Sequence, residues 1–206
     1  MLSSPSPFPV VISAPSGTGK TTLVQQLVTT HPEVFYVSVS ATTRPLRGGE
    51  IDGIHYHFVT RDAFTRLIGD GLLLEWACVY DQFYGTPRAE IQRGTEGGRI
   101  TLLDIDVQGG MQVMSSVPGS VAVFLLPPSL QDLASRLRTR GTDDEHAVAT
   151  RLREATREIE QGMAAYDYLV INDKIDKCVD TVWSIIDAER SRAWRLNAVR
   201  RSSEGA

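Results

Sequence analysis

The stretch Ser13-Ala-Pro-Ser-Gly-Thr-Gly-Lys-Thr-Thr22 follows the apolar run Phe8-Pro-Val-Val-Ile12 and precedes Leu23, Val24, Leu27 and Val28, which are spaced for one face of a helix. Buried strand, glycine-rich turn and amphipathic helix is the setting that the phosphate-loop pattern G-x-x-x-x-G-K-[ST] requires. Gly17 and Gly19 allow the backbone to curl around phosphate oxygens. The helix N-terminus adds free N–H groups and its dipole. Lys20 is placed for the β- and γ-phosphates and the Thr21 hydroxyl for Mg²⁺. The pattern asks for glycine where Ala14 stands. Alanine suffices there if the residue keeps a negative φ. The alternative is a structural Gly/Ser turn.

Outward from this loop the chain alternates short buried strands and helices. Strands are expected at Phe8–Ser13, Val34–Val39, Ile100–Ile105, Ser120–Leu126 and Tyr168–Ile171. Helices are expected at Lys20–Thr30, Pro87–Gly94, Val107–Met114, Ser129–Arg140, from Thr142 with Glu145 completing a capping box, and over 174–200, with the arginines of 190–201 on the polar face of the last helix. That order implies a parallel sheet covered on both faces. Between Glu33 and Tyr84 the signals change to a small, mostly β insertion, with strands at His55–Val59 and Leu72–Val79 and a helix at Asp62–Gly69.

The chain has 206 residues, a net charge of −4 and 42% hydrophobic residues. These values suit one soluble domain and give no general reason to expect nucleic-acid binding. No run approaches the length of a membrane span, and the N-terminus does not read as a signal peptide. Cys78 and Cys178 read as buried free thiols of a reducing cytosol, and the four histidines form no metal-ligand spacing. A cytoplasmic protein, monomer or homodimer, is expected.

The segment "SVSATTRPLRGGEIDGIHY" (38–56) resembles the GMP-binding segment of guanylate kinases. "EWACVYDQFYGT" (75–86), "LLDIDVQG" (102–109), "LPPS" (126–129), "RLRTRGTD" (136–143) and "VIND" (170–173) are similar to that family in order and spacing. The resemblance covers about residues 8–190. It implies a three-layer α/β fold of the P-loop NTPase class with a parallel central sheet. It also implies a flexible tail (1–7), a core (8–37, 87–128, 166–206), a GMP-binding insertion (about 38–86) and a helical lid (about 129–165).

The resemblance also implies an ATP-dependent transfer of phosphate to GMP, and to dGMP, with Mg²⁺ as cofactor. Ser16, Gly17, Thr18, Gly19, Lys20, Thr21 and Thr22 would hold the ATP phosphates, with Asn172 near the adenine. As a plain strand-end residue, Asn172 would instead cap the following helix. Arg136, Arg140 and Arg151 would close over the phosphates from the lid. Arg44 and Arg47, whose guanidinium forks suit a phosphate monoester, would grip GMP with Tyr56 and Tyr84. Glu75 and Asp106 would accept from the N1–H and N2–H₂ edge of guanine, and Ser40 and Thr86 would serve O6. Gly85, Asp104 and Glu50 fall in the same acceptor region. Asp104 is also placed for the outer shell of the metal, and Glu50 is equally suited to supporting its turn. Two rivals are a non-catalytic scaffold of the same fold, which would carry a degraded phosphate loop, and a kinase for another acceptor such as a ribose bisphosphate, which would not need Ser40, Glu75 and Thr86.

Overall fold

The computed structural model describes residues 6–79, 81–139 and 145–196. In chain order the elements are β1 (Pro9–Ser13), α1 (Lys20–Thr30), β2 (Phe35–Val37), β3 (Ala41–Thr42), β4 (His57–Phe58), α2 (Arg61–Gly69), β5 (Leu73–Val79), β6 (Gln82–Pro87), α3 (Ala89–Glu96), β7 (Ile100–Asp104), α4 (Val107–Ser116), β8 (Val121–Leu126), α5 (Leu130–Thr139), α6 (Glu145–Ala165), β9 (Tyr168–Ile171) and α7 (Ile175–Arg190). Arg140 and Thr142 lie outside the described residues, as do 1–5 and 197–206.

β2, β7, β1, β8 and β9 form one parallel sheet in that spatial order. Alternate residues of a strand point to opposite faces, and here both faces are covered. Val10, Ile12, Leu102, Val123 and Leu125 pack with Leu23 and Leu27 of α1 and Val182 and Ile186 of α7. Val11, Leu103, Ala122 and Phe124 pack on the other face with Val113 of α4 and with Tyr166. Fully burying each such Leu or Ile contributes about 1.5–3 kcal/mol. The result is a three-layer α/β fold whose loops after β1, β7, β8 and β9 meet at the carboxyl edge of the sheet, where ligands bind in such folds.

A second sheet, ordered β4, β3, β6, β5, carries α2 against it through Phe64, Leu73 and Ala41. β6 has no counterpart in the sequence-based expectation. Its residues Gly85 and Pro87 argue against a strand, yet Gly85 is there for contact. A side chain at 85 would meet the Glu75 carbonyl at 2.8 Å and Trp76 Cβ at 2.9 Å. α3 therefore starts at Ala89, after Pro87 has completed β6.

The C-terminal expectation also needs correction. α7 ends at Arg190, the chain turns at Ser191, and helix resumes over 193–196. Arg195 is not on a polar face. It is 3% exposed, stacks between Phe8 (3.7 Å) and Trp194 (4.2 Å), and donates to Glu189 and to the Gly119 carbonyl.

Candidate active site

The loop after β1 has the backbone that its sequence demands. Gly17 and Gly19 adopt φ of 91° and 100°, which other residues rarely take. A side chain at Gly19 would also come within 2.6 Å of Asn172 Nδ2. Ala14 is not among the residues with positive φ, so the missing methyl-free position costs nothing. Ser16, Thr21 and Thr22 are exposed, and Thr18 is buried with an Oγ1 that has no hydrogen-bond partner. α1 carries no acid in its first turn to blunt its dipole toward an anion. Lys20 Nζ is held by Asp104 Oδ1 (2.8 Å) and the Ile105 carbonyl (2.7 Å).

Outside this loop lies a cavity of about 550 Å³ lined by Gly17, Gly19, Thr22, Arg136, Asn172 and Ile175, among others. Asn172 is buried and donates through Nδ2 to the Thr18 carbonyl (2.7 Å). It does not cap the next helix: α7 begins behind Lys174 without a side-chain cap, so that alternative is corrected. Arg136 donates to the carbonyls of Thr18 (3.4 Å) and Asn172 (3.2 Å). The loop is thus tied to the ends of β9 and α5. Arg151 lies half-buried on α6, whereas Arg138 and Arg153 are exposed.

On the inner side a cavity of about 280 Å³ is lined by Lys20, Thr21, Ser40, Tyr56, Glu75, Val79, Tyr84, Gly85, Asp104, Ile105 and Asp106. Arg44 is buried next to it. Its guanidinium meets both oxygens of Glu50 and packs over the rings of Tyr56 (5.1 Å) and Phe58 (5.5 Å). Glu50 Oε2 also accepts from the Arg47 backbone N–H (2.8 Å). The Arg44 guanidinium, then the Arg47 N–H, hold the Glu50 carboxyl at about 2, against an ordinary 4.5. Glu50 is therefore both the turn support and the group that orients Arg44. The Arg47 side chain is exposed. Tyr56 and Tyr84 meet edge to face at 6.0 Å.

Glu75, 5% exposed, sits at the back of this cavity. Its Oε1 accepts from the Thr86 hydroxyl (2.7 Å), which lies 3.0 Å from Ser40 Oγ. Burial pushes the Glu75 carboxyl up to about 7; the Thr86 hydroxyl opposes this and the Asp106 charge adds to it. Asp106 caps α4, its Oδ1 accepting from the Gly109 N–H (2.8 Å). One of its oxygens is thus committed to the helix.

Sequence reasoning missed two residues at this site. Glu158 of α6 is half-buried, and its carboxyl is pushed up to about 7 by burial and by the charge of Asp106, with Lys20 opposing. Its position seven residues after Arg151 puts both on one helix face, which was the available signal. Tyr166 donates to Ser13 Oγ (2.7 Å), and Ser13 donates to the carbonyls of Ile105 and Asp106. That chain joins the end of α6 to the start of the phosphate loop.

The guanylate kinase family model matches residues 6–189. The guanylate kinase of Syntrophotalea carbinolica is 46% identical over 91% of this chain and 89% of its own length. That of Carboxydothermus hydrogenoformans is 43% identical over 91% of each chain. The crystal structure of guanylate kinase from Anaplasma phagocytophilum superposes with a TM-score of 0.77 at 33% identity, covering 97% of this chain and 94% of that one.

Proposed function

We propose a division of labour among these residues from one premise: the chain belongs to the guanylate kinase family. It is an enzyme that phosphorylates GMP to GDP using ATP. The observation that carries the residue assignment is that the phosphate loop faces two cavities. Gly17, Gly19 and Thr22 line the outer one and Lys20 and Thr21 the inner one, so consecutive residues of one loop would serve donor and acceptor.

ATP takes the outer cavity, its phosphates on the backbone of 16–22 and its base toward Asn172. GMP, or dGMP, takes the inner one. Its phosphate is gripped by Arg44, Arg47, Tyr56 and Tyr84. Its guanine donor edge lies on Glu75 and on the uncommitted oxygen of Asp106, and its O6 on the hydroxyls of Ser40 and Thr86. Adenine lacks the N1–H and N2–H₂ donors, so it would leave the second oxygen of each carboxylate unpaired, a mismatch that can discriminate by about 10⁴ or more. In domain terms residues 38–86 are the GMP-binding insertion and 129–165 the lid.

The acceptor phosphate is largely a dianion at neutral pH, its second pKa lying near 6. One of its oxygens attacks the γ-phosphorus in line while the bond to the β-phosphate oxygen breaks, and no general base is required. Lys20 crosses from Asp104 to the transferring group, joined by Arg136, Arg140 and Arg151 from the lid. Closure excludes water and so limits ATP hydrolysis. Mg²⁺ fits the donors present: the exposed Thr21 hydroxyl in the first turn of α1, which carries no acid, with Asp104 for its water shell. When bound it would neutralise the β- and γ-oxygens. No helix among the described residues is long and apolar enough to cross a membrane. Both cysteines are free, which suits a reducing cytosol, but only Cys178 is buried as expected; Cys78 is exposed on β5. A coupled assay of ATP turnover with GMP, dGMP, AMP, UMP and dTMP tests the assignment. Turnover on GMP and dGMP alone is expected, and comparable turnover on AMP would refute the guanine site.

A further inference from the structure

Two backbone crossings join the second sheet to the core, one outgoing over 38–40 and one returning over 87–88. The core ladder ends where the Ser38 N–H donates to the Leu102 carbonyl. The next N–H, of Val39, donates to Glu90 Oε2 (2.7 Å). The same oxygen accepts the Tyr36 hydroxyl (2.7 Å), and Oε1 accepts from Arg93 Nη1 (2.6 Å). Glu90 is 1% exposed and lies in the first turn of α3, directly after the returning crossing. Arg93 and the helix dipole offset its charge.

The platform that carries this carboxylate is tight. A side chain at Gly94 would come within 2.0 Å of Thr101 Oγ1 on β7 and 3.4 Å of the Tyr36 ring on β2, so α3 rests on the core with no slack. Glu90 therefore holds the outgoing crossing to the root of the returning one. Ser40 follows Val39 by one residue and Thr86 precedes Glu90 by four. Their hydroxyls lie 3.0 Å apart, and Thr86 in turn donates to Glu75.

We propose that Glu90 is a positioning residue for the acceptor nucleotide: by clamping both crossings it sets where Ser40 and Thr86 meet the guanine. This rests on the guanine reading of Ser40, Thr86 and Glu75 given above. A carboxylate that merely satisfied a half-buried N–H would support stability alone. A clamp at the acceptor side makes GMP binding, and not ATP binding, depend on it.

The test uses the full chain and reads kcat, the two KM values and the thermal midpoint. Glu90→Ala is expected to raise the KM for GMP about tenfold, the worth of a hydrogen bond to a charged group, with the KM for ATP within about twofold. Because both the Val39 and Tyr36 donors use one oxygen, Glu90→Gln keeps an acceptor for them and is expected to restore the KM for GMP to within about threefold. Tyr36→Phe removes one of the two donors and is expected to raise it about threefold, and it decides the matter if Glu90→Ala does not fold. An unchanged KM for GMP beside a lowered midpoint, equal rises in both KM values, or a Glu90→Gln variant as impaired as Glu90→Ala would overturn the proposal. Ser40→Ala separates the two readings. If it raises the KM for GMP and Glu90→Ala does not, the clamp is wrong; if it changes nothing, the guanine assignment beneath the clamp is wrong.

Discussion

Binding of GMP should be coupled to loss of a proton from Glu75. In the free enzyme burial pushes this carboxyl up to about 7, so at pH 6 about one molecule in eleven holds it ionised and at pH 8 about ten in eleven do. The N1–H and N2–H₂ edge of guanine that would face Glu75 offers donors only, so it needs the ionised form. The KM for GMP should therefore fall about tenfold between pH 6 and pH 8 from this group alone. The acceptor phosphate, with a second pKa near 6, adds about a further twofold as its dianion fills in. Asp104, Asp106, Lys20, Tyr56 and Tyr84 line the same space, and Glu158, also raised to about 7, interacts with Asp106 and Lys20 from α6. Glu75→Gln isolates the first contribution. It should bind GMP more weakly overall and retain only the roughly twofold phosphate slope. Steady-state titration with GMP at saturating ATP measures the slope, and calorimetry in buffers of different ionisation enthalpy counts the proton. A wild-type slope no steeper than that of Glu75→Gln would refute the reasoning.

The same group gives a stability prediction without ligand. Folded Glu75 keeps its proton up to about 7 whereas the unfolded chain releases it near 4.5, so stability falls as pH rises through that window, by up to about 3 kcal/mol. Thermal melts should show Glu75→Gln matching wild type at pH 4.5 and exceeding it at pH 8. Lys20→Ala should lower kcat by several orders of magnitude with the melting midpoint preserved, since its two partners, Asp104 and the Ile105 carbonyl, lie at the edge of the cavity; near-normal turnover would disprove the phosphate-loop role. Gly19→Ala combines a φ of 100° with a contact 2.6 Å from Asn172, and should raise the KM for ATP, whereas Ala14→Gly should leave it unchanged. Arg195→Ala strips one side of a buried pair and should cost about 3 kcal/mol, because Tyr168 and Arg192 still hold Glu189. Urea melts should show that loss with kcat per folded molecule intact.

Local chemistry made much of this protein legible without coordinates. A glycine-rich loop between a β-branched strand and a helix of period 3.6 has few other folds available, and β1, α1 and β9 lie where those patterns placed them. The parallel sheet followed from continuous apolar strands separated by helices, since only a sheet covered on both faces buries such strands. Arg44, Glu75 and Thr86 were legible as residue types suited to phosphate and guanine, although what holds each of them was not.

What only the tertiary structure decided are the relations between distant segments. β6 is a strand because Gly85 lets β5 approach its backbone, a reason that no window around residue 85 contains. Asn172 braces the phosphate loop across 154 residues of sequence, so the helix-cap reading could not be rejected locally. Arg195 reads as one more surface cation in a basic stretch until Phe8 and Glu189 are seen around it. Glu90 is singled out by nothing in the expected helix over 87–94; only the fold puts the Val39 N–H, 51 residues earlier, on its carboxylate. Propensity and periodicity are set by neighbours in the chain and survive in the sequence. Burial, close approach and the partner of a polar atom are set by neighbours in space, and those exist only once the chain has folded.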